Sequence, residues 1–322
     1  MLKNYCLTLS KILIFSSLLI ALTACGNQSS QTVTPGINPS LETSSPTADQ
    51  ATPVVYVTNY PLQYFAERIV GNTIKINYLV PPNIDPAFWQ PTSQDIAQMQ
   101  AGDLIFVNGA TYEKWLNTVS LSEAKLVNTS VSFQDRYIAA PSGSVHRHGP
   151  EGEHQHTGTA FTTWLDFKQA IAQADAIRGA LTKLRPDLAE TFQGNFETLK
   201  QDLEAFDQQL LDITANKHQI PLLASHPVYQ YFARAYGLNL KSLHWEPDDV
   251  PTEVQWQELQ KLLQSHPAQW IIWEDTPNPE TVAQLKQLNI NSLVFNPLGN
   301  QSDPEDFISL MNQNLSSLKP ID

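Results

Sequence analysis

The sequence predicts an α/β chain of two similar βα lobes with mainly parallel sheets, joined by a long rigid linking helix, with a ligand cleft between the lobes. Three observations carry this. First, a segment recurs: Val57-Thr58-Asn59-Tyr60-Pro61 leads to Tyr64-Phe65-Ala66 and Gly71, and Leu223-Ala224-Ser225-His226-Pro227 leads to Tyr231-Phe232-Ala233 and Gly237, with ten residues from proline to glycine in both. Second, the apolar strand at 103–107 is matched at 269–273, with Ile105 and Ile271 each 44 residues after the respective proline, and a third short strand follows at 125–127 and again at 292–295. Equal offsets for three landmarks point to one βαβ-type unit used twice. Third, between the two copies Phe192, Phe196, Leu199, Leu203, Phe206, Leu210 and Ile213 recur in steps of three and four among charged residues. That is one helical stripe of core-packing residues, about 35 Å long at 1.5 Å per residue.

In chain order, Lys3 and Lys11 precede an apolar run at 12–22 that ends in Leu22-Thr23-Ala24-Cys25. The run is too short to span about 30 Å of hydrocarbon comfortably and suits a signal-peptide core. The tetrad resembles the bacterial lipoprotein processing box, which implies cleavage after residue 24, lipidation of Cys25 and an extracytoplasmic, lipid-anchored protein. Cys6 would leave with the signal, so no disulfide is expected. Residues 25–53 are rich in Ser, Thr, Pro, Gln and Asn and read as a disordered tether. The first lobe is placed at 54–165, the linking helical segment at 166–216, with Pro186 as its interior breaker, and the second lobe at 217–322. Without residues 1–24 the chain carries 17 Lys+Arg against 32 Asp+Glu, which argues against nucleic acid and anionic lipid as partners.

Each lobe should open with a strand, break at a polar pair and start a helix with proline at its first position. Tyr60 and His226 then stand at equivalent strand ends, where parallel sheets collect ligands. A second signal lies at 144–159. His146, His148, His154 and His156, four of the eight histidines, fall within HRHGPEGEHQH, a stretch without apolar periodicity. Two His-x-His pairs among glycine, proline and acids are the composition of a zinc-class ligand tract.

Five blocks carry a family resemblance: Pro81-Pro82-Asn83-Ile84-Asp85-Pro86 with Gln90-Pro91-Thr92 and Asp95; Ala101-Gly102-Asp103-Leu104 through Asn108-Gly109; Thr163-Trp164-Leu165-Asp166; Ser225-His226-Pro227; and Asn296-Pro297-Leu298-Gly299. In order and spacing the chain resembles the metal-binding branch (cluster A-I) of bacterial ABC-transporter solute-binding lipoproteins, over residues 54 to about 318. The resemblance implies capture of a cation outside the membrane and delivery to a permease with its ATPase, by a monomer. It also implies a cleft holding metal on two histidines of the first lobe, one of the second and a carboxylate near the C-terminus. Only His226 fills its seat. The others are Ala87, Thr162 and Asn296, which with Tyr60, Trp89 and Trp164 are expected to line the cleft.

A single imidazole cannot hold zinc, which takes four ligands in closed sites and three plus water in open ones. Three repairs are open, in this order. The tract can fold back to join His226, since its last histidine lies six residues before Thr162 and a flexible linker of that length reaches about 12–15 Å. A relocated site can use His244, Glu246, Asp248 and Asp249, or Glu274 and Asp275. Or the cleft takes a metal chelate or small organic ligand on Tyr60, Trp89 and Trp164. His218 and His266 lie in polar connections and read as solvated. Imidazole without cysteine favours zinc, with nickel or cobalt in reserve, and affinity should fall below pH about 6.5 as histidines protonate. The sequence has no His-Glu-x-x-His, Gly-x-Ser-x-Gly or phosphate-cradling loop, so an enzyme is not expected. A surface lipoprotein that buffers metal or engages another protein is the remaining alternative.

Overall fold

The computed structural model describes residues 52–82, 84–140, 146–147, 153–154, 158–300 and 305–321. The expected signal segment, Cys25 and nearly all of the tether lie outside the described residues, as do His148 and His156. No helix among the described residues is long and apolar enough to cross a membrane.

The first lobe runs β1 (Val55–Val57), α1 (Tyr60–Val70), β2 (Ile76–Tyr78), α2 (Ser93–Ala101), β3 (Leu104–Val107) and β4 (Leu126–Asn128). Its four strands are parallel in the order β2-β1-β3-β4, with Val55 opposite both Ile76 and Leu104, and Ile105 opposite Leu126. Helix α1 starts as its sequence dictates: Asn59 accepts from Leu62 N–H, proline sits in the first turn, and Gly71 ends the helix at φ +55°. Thr92 and Asp95 close a capping box on α2. In the histidine tract, β5 (His146–Arg147) and β6 (Glu153–His154) pair antiparallel with His146 opposite His154.

The linking segment folds as two helices, α3 (Phe167–Leu184) and α4 (Ala189–Thr214), separated by a 3-10 turn at Pro186–Leu188. The reason is local, since proline disfavours a helical preceding residue and Arg185 sits at ψ 76°. The 26 residues of α4 run about 39 Å at 1.5 Å each. They pack on α3 and on α1.

The second lobe holds β7 (Pro221–Ala224), α5 (Gln230–Ala235), β8 (Asn239–Ser242), α6 (Glu253–Ser265), β9 (Trp270–Trp273), α7 (Pro279–Gln287), β10 (Asn291–Val294) and α8 (Phe307–Ser317). The sheet is parallel in the order β10-β9-β7-β8, so each lobe places its strands second, first, third, fourth. The repeat seen in sequence is therefore a repeat of topology. It departs at one point: α5 begins three residues after Pro227, not at it. Val228 N–H turns back to His226 O, and the Val228 carbonyl accepts from Thr162, so the chain there is held in a turn.

Both lobes lie within one compact unit, residues 51–322. One apolar core joins them, running from Val55 and Phe65 through Phe167, Phe192 and Phe206 to Leu222, Phe295 and Phe307, all fully buried. The Phe167 and Phe206 rings lie 4.6 Å apart. A core shared this way, with α4 against α1, α3 and α8, restricts how far the lobes can swing apart.

Candidate metal centre

The centre is built at the carboxyl ends of the second sheet. Strand β7 ends at Ala224 and delivers Ser225 and His226; its neighbours β9 and β8 deliver what stands on either side. Beyond β9 come Glu274 and Asp275. Beyond β8 the ladder continues, because Leu243 N–H bonds Ala224 O and Trp245 N–H bonds Ser225 O, both at 2.8 Å. Strand alternation then buries Leu243 and Trp245 in a core with Leu223 and Trp273, and turns His244 and Glu246 to the other face.

His226 is 2% exposed. Its Nδ1 lies 3.7 Å from Glu274 Oε1 and its Nε2 lies 3.8 Å from Glu246 Oε1. Both gaps exceed a hydrogen bond. The His244 ring stands 6.3 Å from that of His226, at 85°. Glu274 is held well above the usual carboxylate range, first by burial and then by the negative charges of Glu246, Asp85 and Asp275.

His226 and Glu274 open onto a cleft of about 480 Å³ between the lobes. The first-lobe side brings Asp85, Phe88, Tyr112, Phe161, Thr162 and Trp164; the second brings Asp248, Asp275, Asn296 and Asn300. Every charged side chain among these described lining residues is acidic. Such a cleft repels anions and gains from a bound cation.

The remaining expected seats serve structure. Ala87 is 1% exposed, packed in the shared core and off the cleft wall. Thr162 lines the cleft, but its hydroxyl is committed to the Val228 carbonyl. Asn296 also lines it, with Oδ1 accepting from Leu298 N–H at 2.8 Å and its own N–H bonded to Asn314. Trp164 does line the cleft, its indole N–H donating to Pro297 O at 2.7 Å.

Ala87 is thus one of three cleft expectations that are corrected, with Tyr60 and Trp89. Tyr60 opens α1, and its ring packs edge-on to Phe307 with the hydroxyl donating to Glu305 O, away from the cleft. Trp89 lies in a separate core against Trp115, ring centres 5.7 Å apart. His266, expected to be solvated, is 4% exposed and bonds Leu222 O through Nε2 at 2.9 Å, whereas His218 is exposed as expected. Sequence reasoning passed over Asp85 as a ligand candidate; its place before Pro86, in the block that carries the missing histidine seat, was the available signal.

Among the described residues, no three His, Cys, Asp or Glu side chains already gather around a metal-sized point. What the described residues do bring together are two pairs, His226 with Glu246 and His226 with Glu274.

A sequence profile described as "ZnuA: Zinc-uptake complex component A periplasmic" matches residues 55–320. The chain belongs to this family. Among curated relatives, the zinc-binding lipoprotein AdcA of Streptococcus pneumoniae is 25% identical over 277 residues, covering 82% of this chain and 55% of AdcA. The chain thus spans about half the length of its AdcA relatives. The high-affinity zinc uptake system protein ZnuA of Bacillus subtilis is 24% identical over 328 residues, 96% of each chain. Among solved structures, the metal-dependent lipoprotein YcdH of Bacillus subtilis superposes with TM-score 0.70 at 23% identity, covering 83% of this chain and 98% of YcdH. The Zn(II)-bound ZnuA-like domain of Streptococcus pneumoniae AdcA does so with TM-score 0.70 at 22% identity, over 84% and 98%. These two solved structures therefore share the fold found here.

Proposed function

We propose that this chain is the extracytoplasmic solute-binding component of an ABC uptake system for a divalent cation, zinc in the first place. The observation that carries the reading is His226, buried at the lobe junction between two carboxylates and opening onto a cleft with a wholly acidic set of charges. Imidazole with carboxylate suits zinc, nickel or cobalt better than calcium or magnesium, which take oxygen alone. Family membership, the zinc-binding name of AdcA and the zinc-uptake name of ZnuA support zinc among these. His226 holds the cation with a flanking carboxylate, and His146, His148, His154 and His156 load it from the tract. Cys25 anchors the protein by lipid, and a permease with its ATPase receives the metal from the monomer. Binding requires no bond to be made or broken in the solute, so no catalysis is assigned.

Calorimetry with zinc on the signal-free chain, carrying Cys25→Ser, tests this. Zinc binding clearly tighter than 10 μM, weakened by His226→Ala, is expected; affinity weaker than about 10 μM would overturn capture.

The cleft's volume favours a second reading. About 480 Å³ walled by Phe88, Tyr112, Phe161 and Trp164 is room for a small organic molecule as well as an ion. A metal chelate taken whole would show as zinc binding that tightens when a small amino-acid chelator is added, where bare-ion capture shows competition.

A further inference from the structure

We infer that the zinc ligands have moved entirely into the second lobe, as His226 Nε2, Glu246 and His244, with Glu274 as the residue that orients His226 through Nδ1. This rests on the cation-capture reading above and names the ligands within it.

The argument begins with reach. With zinc about 2.1 Å from each donor, ligand atoms 3.8 Å apart subtend roughly 130° at the metal, within the spread of four-coordinate sites. The Nε2 and Glu246 pair is therefore already set for a shared ion. His226 can give only one nitrogen to that ion, and a ligating imidazole characteristically offers the other to a carboxylate that fixes ring and tautomer. The two carboxylates on opposite nitrogens are thus one ligand and one orienting group.

What lies beyond each nitrogen decides which is which. On the Nδ1 side, Glu274 is followed by Asp275 and faced by Asp85, an all-oxygen environment suited to hard cations. The next strand end on that side supplies Asn296, whose amide oxygen already serves Leu298. The Nε2 side offers a second imidazole. His244 and Glu246 share a face of the extended β8 ladder, and their backbone is fixed by the bonds of Leu243 and Trp245 to β7 and by Gln255, which donates to His244 O at 3.0 Å. Two histidines and one glutamate with an open fourth position are a zinc ligand set.

His244 is the piece that must move. Rings sharing a tetrahedral zinc have centres about 5 Å apart, and these stand at 6.3 Å, so a side-chain rotation closing about 1 Å completes the set. The ring is half-buried and borders a groove of about 620 Å³ with Glu246, which gives it room to turn. No first-lobe side chain takes part, in keeping with the core position of Ala87 and the commitment of Thr162.

The test uses the signal-free chain with the four tract histidines changed to alanine, so that only the fold's own site is read. Zinc calorimetry is expected to retain binding in this background, and His244→Ala, His244→Gln and Glu246→Gln each to weaken it at least tenfold. Zinc-edge X-ray absorption should count two imidazoles, one after His244→Ala, and still two after Glu274→Gln. Thermal melts of the metal-free variants matching the parent show that lost affinity is not lost folding; should His244→Ala fail there, His244→Gln is read in its place. If the wild type binds no zinc, the capture reading itself falls. If the wild type binds but the four-alanine chain does not, or if the His244 and Glu246 variants bind like their parent, capture stands and the relocated ligand set is overturned.

Discussion

The Thr162 hydroxyl donates to the backbone carbonyl of Val228, tying the first lobe to the turn that follows His226. The family resemblance reserves this position for a metal-binding imidazole, and here it is a buried bond between lobes. Thr162→Val keeps the shape and leaves the carbonyl without its donor, so a stability loss of about 1–3 kcal/mol is expected. Urea unfolding measures it, with zinc affinity within threefold of wild type. Unchanged stability would show that the bond does not tie the lobes.

Ala87 makes the opposite case. A histidine there refills the family's first-lobe seat on paper, but the methyl is 1% exposed and packed in the shared core. Ala87→His should therefore overpack the site, costing about 1–3 kcal/mol without tightening zinc. A gain of tenfold or more in affinity would mean that the core yields and that the old seat survives.

These two residues also mark where sequence reading stopped. The equal offsets predicted both sheets because parallel strands buried on two faces are apolar runs that stand out in any frame, as at Leu104–Val107 and Trp270–Trp273. The three-residue β2 and the largely exposed β8 have no such run and were not anticipated. The strand-end position of His226 was legible from the repeat. Its flanking carboxylates were legible only as strand-end candidates, since which of them face the ring depends on strand order, β9 on one side and β8 on the other. Tyr60 was misplaced because the repeat fixes its backbone position, while its ring follows Phe307, 247 residues away in the chain.

Glu113 pins the loop after β3, where Gly109, Ala110 and Thr111 all have positive φ. Its carboxylate accepts from Thr58 Oγ1 and Asn108 N–H at 2.6 Å and from Gly109 N–H at 3.1 Å, and burial still pushes its pKa up. The folded chain then holds a proton that the unfolded chain, with a value near 4.3, has released. Its contribution is present in full below about pH 4.3 and is lost as pH rises through the folded value. Relative to Glu113→Gln, which cannot ionise, wild-type stability should decline with rising pH over that window and then level off. Denaturant titrations of both proteins from pH 4 to pH 8 give the slope, and parallel curves would rule the linkage out.

Phe206 tests whether the two lobes are one folding unit. It is 1% exposed on α4, its ring against Phe167 of α3, in the core that continues into both sheets. Phe206→Ala removes a large buried ring and should cost about 3–5 kcal/mol. Because α4 packs on α1 of the first lobe and α8 of the second, that loss should reach both sheets. Native-state hydrogen exchange separates the cases: the amides of β3 and β9 are expected to lose protection by the same free energy. Protection lost in β3 and kept in β9 would mean that the lobes unfold separately, in which case a rigid cleft no longer follows from the shared core and metal release could proceed by swinging them apart.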